Sequence, residues 1–257
     1  MLYKIRIRQV MAVVVVVIGS IAALAMREQS QSVSSVPKEQ ARRVRDLPIV
    51  DFDAPETNDL RHKAKGDRYN HQSSQPIKEA PSISGRVWSN HWARGLEALP
   101  IDRSDTILVG TITDAQAHLS NDRTGVYSEF GVQVEEVLKQ DPAKSRIEVA
   151  SAIYVERFGG AVRFSSGTIQ KYETIGQGMP RRGERYLLFL KRLDDEPSFS
   201  IVTAYELGYD LKVSPLDGAQ VGEGNETYPF DKYKGFDSTL FLQIVRAALA
   251  EKSKSAL

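Results

Sequence analysis

Tyr186-Leu187-Leu188-Phe189-Leu190 is a run of five large apolar residues held between Arg185 and Lys191. Its length is that of one strand, and its aromatic content favours a pleated backbone. It reads as the strongest strand of a packed set covering residues 105–193. Upstream, Thr106-Ile107-Leu108-Val109-Gly110-Thr111-Ile112-Thr113 is apolar on both faces, as a central strand is. Ser120-Asn121-Asp122-Arg123-Thr124-Gly125 is a turn by composition. Phe130, Val132 and Val134 then share one face, with Glu129, Gln133 and Glu135 on the other. Val137 rather than Glu136 continues the apolar set, a one-residue slip that predicts a β-bulge and a bend.

The same pattern extends in both directions. Ile147, Val149, Ile153 and Val155 alternate with Arg146, Glu148 and Glu156 as a further strand. Phe158-Gly159-Gly160-Ala161 reads as a hairpin turn into Val162-Arg163-Phe164, with a weaker strand over 168–175. Strands are expected again at 199–204 and 209–213. Leu240, Phe241, Ile244, Val245, Ala248 and Leu249 recur at helical spacing behind Asp237 or Ser238 as cap, with fraying expected from Glu251. Trp88, Trp92, Leu96 and Leu99 have helical spacing too, stopped by Pro100, and predict a short helix laid on the sheet or an aromatic ligand platform. Short strands with turn signals about every ten residues give a mainly β fold, a small barrel or sandwich with one C-terminal α-helix.

The amino-terminal region has a different character. Lys4, Arg6 and Arg8 precede an uncharged run over residues 10–26, with valine at every position from Val13 to Val17. A basic flank, an apolar core and Ala23-Leu24-Ala25 are the three parts of a secretory signal cleaved near Ala25. The run is 17 residues long, and about 20 span a bilayer, so an uncleaved signal anchor is the rival reading. Both readings place the rest of the chain outside the cytoplasm. Residues 27–84 are polar, proline-punctuated and without apolar period, and are expected to form a disordered linker. Within it, residues 38–46 form a solvated charge run or a short basic helix near a membrane. The expected order is signal peptide or anchor 1–26, linker 27–84, β-barrel domain with its helix 85–251, and a frayed tail 252–257.

The chain has 257 residues, with 34 Lys and Arg against 33 Asp and Glu and no cysteine. A net charge of +1 supplies no basic field for nucleic acid. The absence of cysteine removes disulfides, thiolate nucleophiles and cysteine-based metal sites.

No catalytic constellation stands out. His62, His71, His91 and His118 form no ligand-spaced pair, so neither a metal site nor a cofactor is expected. Gly176, Gly178 and Gly183 lie ahead of a strand rather than a helix, which fits a long connection better than a phosphate loop. Asp194-Asp195-Glu196 is a charged turn without the spacing of a calcium loop. Arg157, Arg163, Arg181 and Arg182 would make an anion-binding face only if the fold gathered them. Asn225-Glu226-Thr227 fits the glycosylation sequon.

Three segments together, Asp105-Thr106-Ile107-Leu108-Val109-Gly110-Thr111-Ile112, Phe130-x-Val132-x-Val134-x-x-Val137-Leu138-Lys139 and Gly183-x-x-Tyr186-Leu187-Leu188-Phe189-Leu190, resemble those of uncharacterised exported bacterial proteins. More distantly they resemble the OB-like barrel of netrin-type modules and tissue inhibitors of metalloproteinases. That resemblance implies a barrel. The inhibitors chelate a protease zinc through an amino-terminal cysteine, which this chain lacks, so their mechanism does not carry over. The expectation for function is an exported, non-enzymatic binding module for an envelope protein or polymer. The alternatives are an envelope hydrolase using carboxylates and arginines from separate strands, and a passive structural component.

Overall fold

A computed structural model of the chain describes residues 47–55, 59–80, 86–88, 92–193, 198–218 and 228–255. The export segment, the 38–46 charge run, His91, Asp194-Asp195-Glu196 and Asn225-Glu226-Thr227 lie outside the described residues. In chain order the elements are β1 (Ile49–Asp51), α1 (Leu60–Arg68), β2 (Arg86–Trp88), β3 (Thr106–Leu119), β4 (Val126–Lys139) and β5 (Ala152–Phe158). They continue with β6 (Gly160–Arg163), β7 (Ile169–Thr174), β8 (Arg185–Arg192), β9 (Ser198–Leu207), β10 (Val213–Pro215) and α2 (Ser238–Ser255).

Five strands close on themselves. β3 pairs antiparallel with β4, β4 with β5, β5 parallel with β9, and β9 antiparallel with β8, which returns to β3. The ring β3-β4-β5-β9-β8 is the OB-like barrel that the strand pattern predicts, and closure removes its free edges. Alternation along β8 explains its apolar run. Tyr186, Leu188 and Leu190 fill the interior with Leu108, Ile112, Phe130, Val132, Val155 and Phe199. Leu187 and Phe189 face outward and are covered by Phe241 and Val245 of α2. Each such side chain contributes about 1.5–3 kcal/mol on burial, so the run secures both layers.

The predicted bulge is present. Pairing of β3 with β4 steps from Val109↔Glu136 to Gly110↔Val134, leaving Glu135 out of register. Asp237 caps α2 by accepting hydrogen bonds from the amides of Thr239 and Leu240 at 2.9 and 3.0 Å. The helix runs through Ser255 rather than fraying at Glu251, and its buried face includes Leu242 while Leu240 is half exposed.

Four expectations are corrected. Gly159 and Gly160 do not make a hairpin: they carry the chain from the barrel into a second sheet of order β1-β6-β7-β2. Gly160 has φ 144°, and a Cβ there would stand 2.9 Å from Ser128 Oγ, so only glycine allows the crossing. Ile147 and Val149 precede β5 instead of belonging to it, and Val149 is exposed. The described residues of 88–99 are not a helix, because Arg86–Trp88 pairs with β7 as a strand and residues 92–95 form a turn. Trp92 closes the outer apolar cluster, stacking on Phe230 and donating from Nε1 to the Ile175 carbonyl at 2.8 Å.

The largest correction concerns the linker. Residues 27–46 lie outside the described residues, but 47–55 and 59–80 are built into the domain. β1 pairs parallel with β6, Ile77 is buried, and α1 buries Lys65. Apolar periodicity misses α1 because charge, rather than apolar area, holds it. Among the described residues no helix is long and apolar enough to cross a membrane.

Candidate functional site

β3 and β4 outrun the barrel. β8 covers β3 only over Thr106–Thr111, whereas β4 pairs with it as far as Leu119. Directly opposed residues share a sheet face, so the pairs His118↔Tyr127, Gln116↔Glu129, Tyr127↔Phe158 and Glu129↔Glu156 place six polar or aromatic side chains on one surface. Two glutamates thus lie side by side on neighbouring strands.

α1 sits on that surface. Asp59 caps it, accepting from the Arg61 amide at 2.9 Å. Its sequence puts Arg61, Lys65 and Arg68 at i, i+4 and i+7, one cationic stripe on one helix face. Lys65 Nζ donates to Glu129 Oε1 and lies 4.0 Å from Glu156 Oε2. Arg68 Nε approaches Glu156 Oε1 to 3.3 Å, and the Tyr69 hydroxyl donates to the same oxygen at 3.0 Å. Lys65 and Glu156 are each only 1% exposed. Two carboxylates on strands that would repel one another are thereby neutralised by a helix laid across them. Gly66 permits the close approach: a Cβ there would stand 2.2 Å from Asn121 Oδ1. Asn121 Nδ2 uses that space to donate to Lys63 O and Asp67 Oδ1, both at 2.8 Å.

Two aromatic and two imidazole rings line the edge of this cluster. Tyr69 stacks on Tyr127 at 4.6 Å, His118 on Tyr127 at 5.1 Å, and His62 lies 5.1 Å from His118. Burial, reinforced by Glu156, pushes the Tyr69 phenol well above its ordinary value, and burial with Glu129 does the same for Tyr127. Both phenols therefore stay protonated. Desolvation, with His62 beside it, lowers His118 against the opposing pull of Glu129. The Arg61 amide, then His62, lowers Asp59. His62 Nε2 and His118 Nε2 lie 3.8 and 3.9 Å from Glu129 Oε2. His62, His118 and Glu129 are the one set among the described residues whose ligand atoms, all within 4.8 Å of one another, are spaced to hold a metal ion.

Above the histidines is a cleft of about 350 Å³, lined by residues including Val50, His62, Lys63, His118, Arg123 and Tyr127. Among the described residues its lining includes Lys63 and Arg123 and no carboxylate. The opening is therefore electropositive and apolar on one side.

The other candidate residues are dispersed. His71 is exposed at φ 62° beside Asp122. Arg157, Arg163 and Arg181 each have a separate carboxylate, Asp217, Asp51 and Glu206, and Arg182 is exposed. They do not make one anion face. Gly176, Gly178 and Gly183 belong to the connection from β7 to β8, as their sequence position predicts. Sequence reading missed Glu129, Glu156 and Lys65 as a group. Its available signal was local: Asp59 ahead of a cationic i, i+4, i+7 stripe marks a capped helix.

Compared with known protein families and with curated proteins, the chain matches none of them.

Proposed function

We propose that the chain is an extracytoplasmic binding module, exported or held at a membrane by residues 10–26, and that it takes an anionic group of an envelope protein or polymer into the cleft beside α1. The observation that carries this reading is the cleft itself. It is walled by a helix held through buried ion pairs, and among the described residues it has cations at its rim and no acid in its lining. A volume near 350 Å³ is at the small end of ligand sites, which run from about 300 to 1,000 Å³, and suits one charged group with a short apolar flank.

A hydrolase reading would rest on Glu129 and Glu156, which face one another across adjacent strands. General acid–base work needs a carboxyl free to exchange a proton with substrate. Here Lys65 holds Glu129, and Lys65, Arg68 and Tyr69 surround Glu156. Binding is the better-supported reading.

The test is crosslinking capture from envelope extract with the full-length chain, followed by mass spectrometry, comparing wild type with Lys63→Glu. Lys63 is exposed on the cleft rim, so reversal changes the field without disturbing the core. A partner lost in Lys63→Glu and retained in a distant control, Lys171→Glu, supports the reading. An identical set of captured species from both defeats it. Incubation with envelope polymer tests the hydrolase: fragments released by wild type and abolished in Glu129→Gln would move that reading ahead.

A further inference from the structure

We propose that His62, His118 and Glu129 form a binding site for one divalent transition-metal ion of the zinc class, beside the cleft that His62 and His118 line. Each offers one ligand atom, and these atoms all lie within 4.8 Å of one another.

The spacing separates this site from an ordinary hydrogen-bonded cluster. Hydrogen bonds to nitrogen span about 2.7–3.2 Å, and the two contacts with Glu129 Oε2 are 3.8 and 3.9 Å. Neither histidine is bonded to that oxygen. Three ligands about 2.0–2.1 Å from a tetrahedral ion stand about 3.4 Å apart. Each histidine needs to close on Glu129 by only about half an ångström around such an ion.

Tautomer and burial point the same way. Asp59 Oδ2 lies 2.8 Å from His62 Nδ1, and a carboxylate can only accept, so Nδ1 carries a proton and in the neutral ring Nε2 presents its lone pair. That lone pair faces Glu129 Oε2, itself an acceptor. Two acceptors facing across a gap call for a cation between them. A carboxylate that holds the far nitrogen of an imidazole is the usual support of a metal-ligating histidine. His118 Nε2 is buried and has no hydrogen-bond partner among the described residues, and an unsatisfied buried polar atom costs about 1–3 kcal/mol.

The charge balance selects the kind of ion. Arg61, Lys65 and Arg68 already offset Asp59, Glu129 and Glu156. A hard cation such as Mg²⁺, which depends on carboxylate charge and oxygen ligands, gains little here. Imidazole suits zinc, copper or nickel. Glu129 can serve through Oε2 because Lys65 engages Oε1. With three protein ligands, a fourth position remains for water or for an anionic group arriving in the cleft. The site stands whether or not the cleft takes an envelope partner, since the probe is the metal alone.

The experiment titrates Zn²⁺, with Mg²⁺ as comparison, into the full-length chain purified in mild detergent and stripped with chelator. Calorimetry gives the stoichiometry, and Co²⁺ substitution gives a ligand-field spectrum. One Zn²⁺ per chain is expected, with no response to Mg²⁺. Affinity should fall by more than about tenfold in His62→Ala and in His118→Ala, by about tenfold or more in Asp59→Asn, and stay unchanged in His71→Ala. His118 packs on Tyr127 and its replacement risks the fold. His62 is partly exposed on α1, so its variant keeps the test valid if the other unfolds. Absence of Zn²⁺ binding by the wild type, or equal binding by wild type and His62→Ala, overturns the site.

Discussion

β5 carries two adjacent buried charges, Glu156 and Arg157, one on each face, and the two faces are built differently. Arg157 meets Asp217 through both terminal nitrogens, at 2.6 and 3.0 Å, and also donates to the Gly178 and Ile201 carbonyls. Asp217 further accepts from the Gly178 amide at 2.8 Å. Apart from Arg157 Nε, that side is closed and saturated. On the Glu156 side three cations share two glutamates, a histidine nitrogen has no hydrogen-bond partner among the described residues, and a cleft opens beside it. A saturated polar network fixes a loop in place. A network with an unsatisfied polar atom at a cleft is one that a ligand can complete.

The sharpest way to break this contrast is to open the saturated side. Asp217→Ala leaves Arg157 buried without its counter-charge, and a loss of about 3–5 kcal/mol is expected. Urea unfolding measures it. Restoring apolar packing with Arg157→Met and Asp217→Leu together should recover most of the loss, because a buried pair seldom exceeds a well-packed apolar substitute. If the single variant costs under about 1 kcal/mol, water already screens the pair and the contrast fails.

Lys65→Met probes the other side. The loss should be smaller, about 2–3 kcal/mol, since Arg61 and Arg68 still face the glutamates. It should also be local, appearing in hydrogen exchange as faster opening over Leu60–Arg68 while β8 stays protected. Global unfolding at the same denaturant concentration in every element would show that α1 is no separable layer.

The two faces also differ in how far they can be read from sequence. Tyr186 to Leu190 is legible because burial on both faces leaves an unbroken apolar run, and α2 because its apolar stripe meets one barrel side. The slip at Glu135 is legible for the same reason, since one residue changes the face of every later one. Glu129 and Glu156 read as solvent-facing, because alternation reports which residues avoid one core and is silent on a second, charged layer. α1 reads as linker since Leu60–Arg68 holds no apolar stripe. Its partners are 64 residues away for Lys65 and Glu129, and 87 for Tyr69 and Glu156. Complementarity across such distances leaves no periodic trace. His62 and His118 were likewise unpaired as sequence positions, and only the ribbon beyond the barrel brings them together.

Asp122 sharpens the contrast at the cleft's edge, where a carboxylate is satisfied by neutral donors instead of cations. Burial raises its pKa, but bonds from the His71 amide, the Thr124 hydroxyl and amide, and the Ser120 hydroxyl outweigh that and hold it well below the ordinary value. A depressed folded-state pKa gives stability that is present above the unfolded value, about 3.9, and lost as pH falls through the folded one. Asp122→Asn should therefore cost about 1–2 kcal/mol at neutral pH and flatten the decline in stability below about pH 5. An unchanged acid limb in thermal unfolding would mean that these bonds persist in the unfolded chain.

The smallest effect belongs to an ion pair with good geometry and no burial. Arg246 on α2 grips Glu136 through Nη2, at 2.9 and 2.7 Å to its two oxygens, with Nε at 3.1 Å. Both side chains are about two-fifths exposed, 45% and 39%. Water and salt screen such a pair, and holding two long side chains costs entropy, so under about 1 kcal/mol is expected from Arg246→Ala. α2 is already secured by Phe241 and Val245 against β8. The loss should vanish at high salt, whereas the Asp217 effect should persist there, because buried charges are screened far less. Chemical denaturation of both variants at low and high salt makes the comparison directly. A salt-resistant loss in Arg246→Ala would place burial second to geometry, and the ranking of the two faces of β5 would have to be argued from hydrogen-bond count alone.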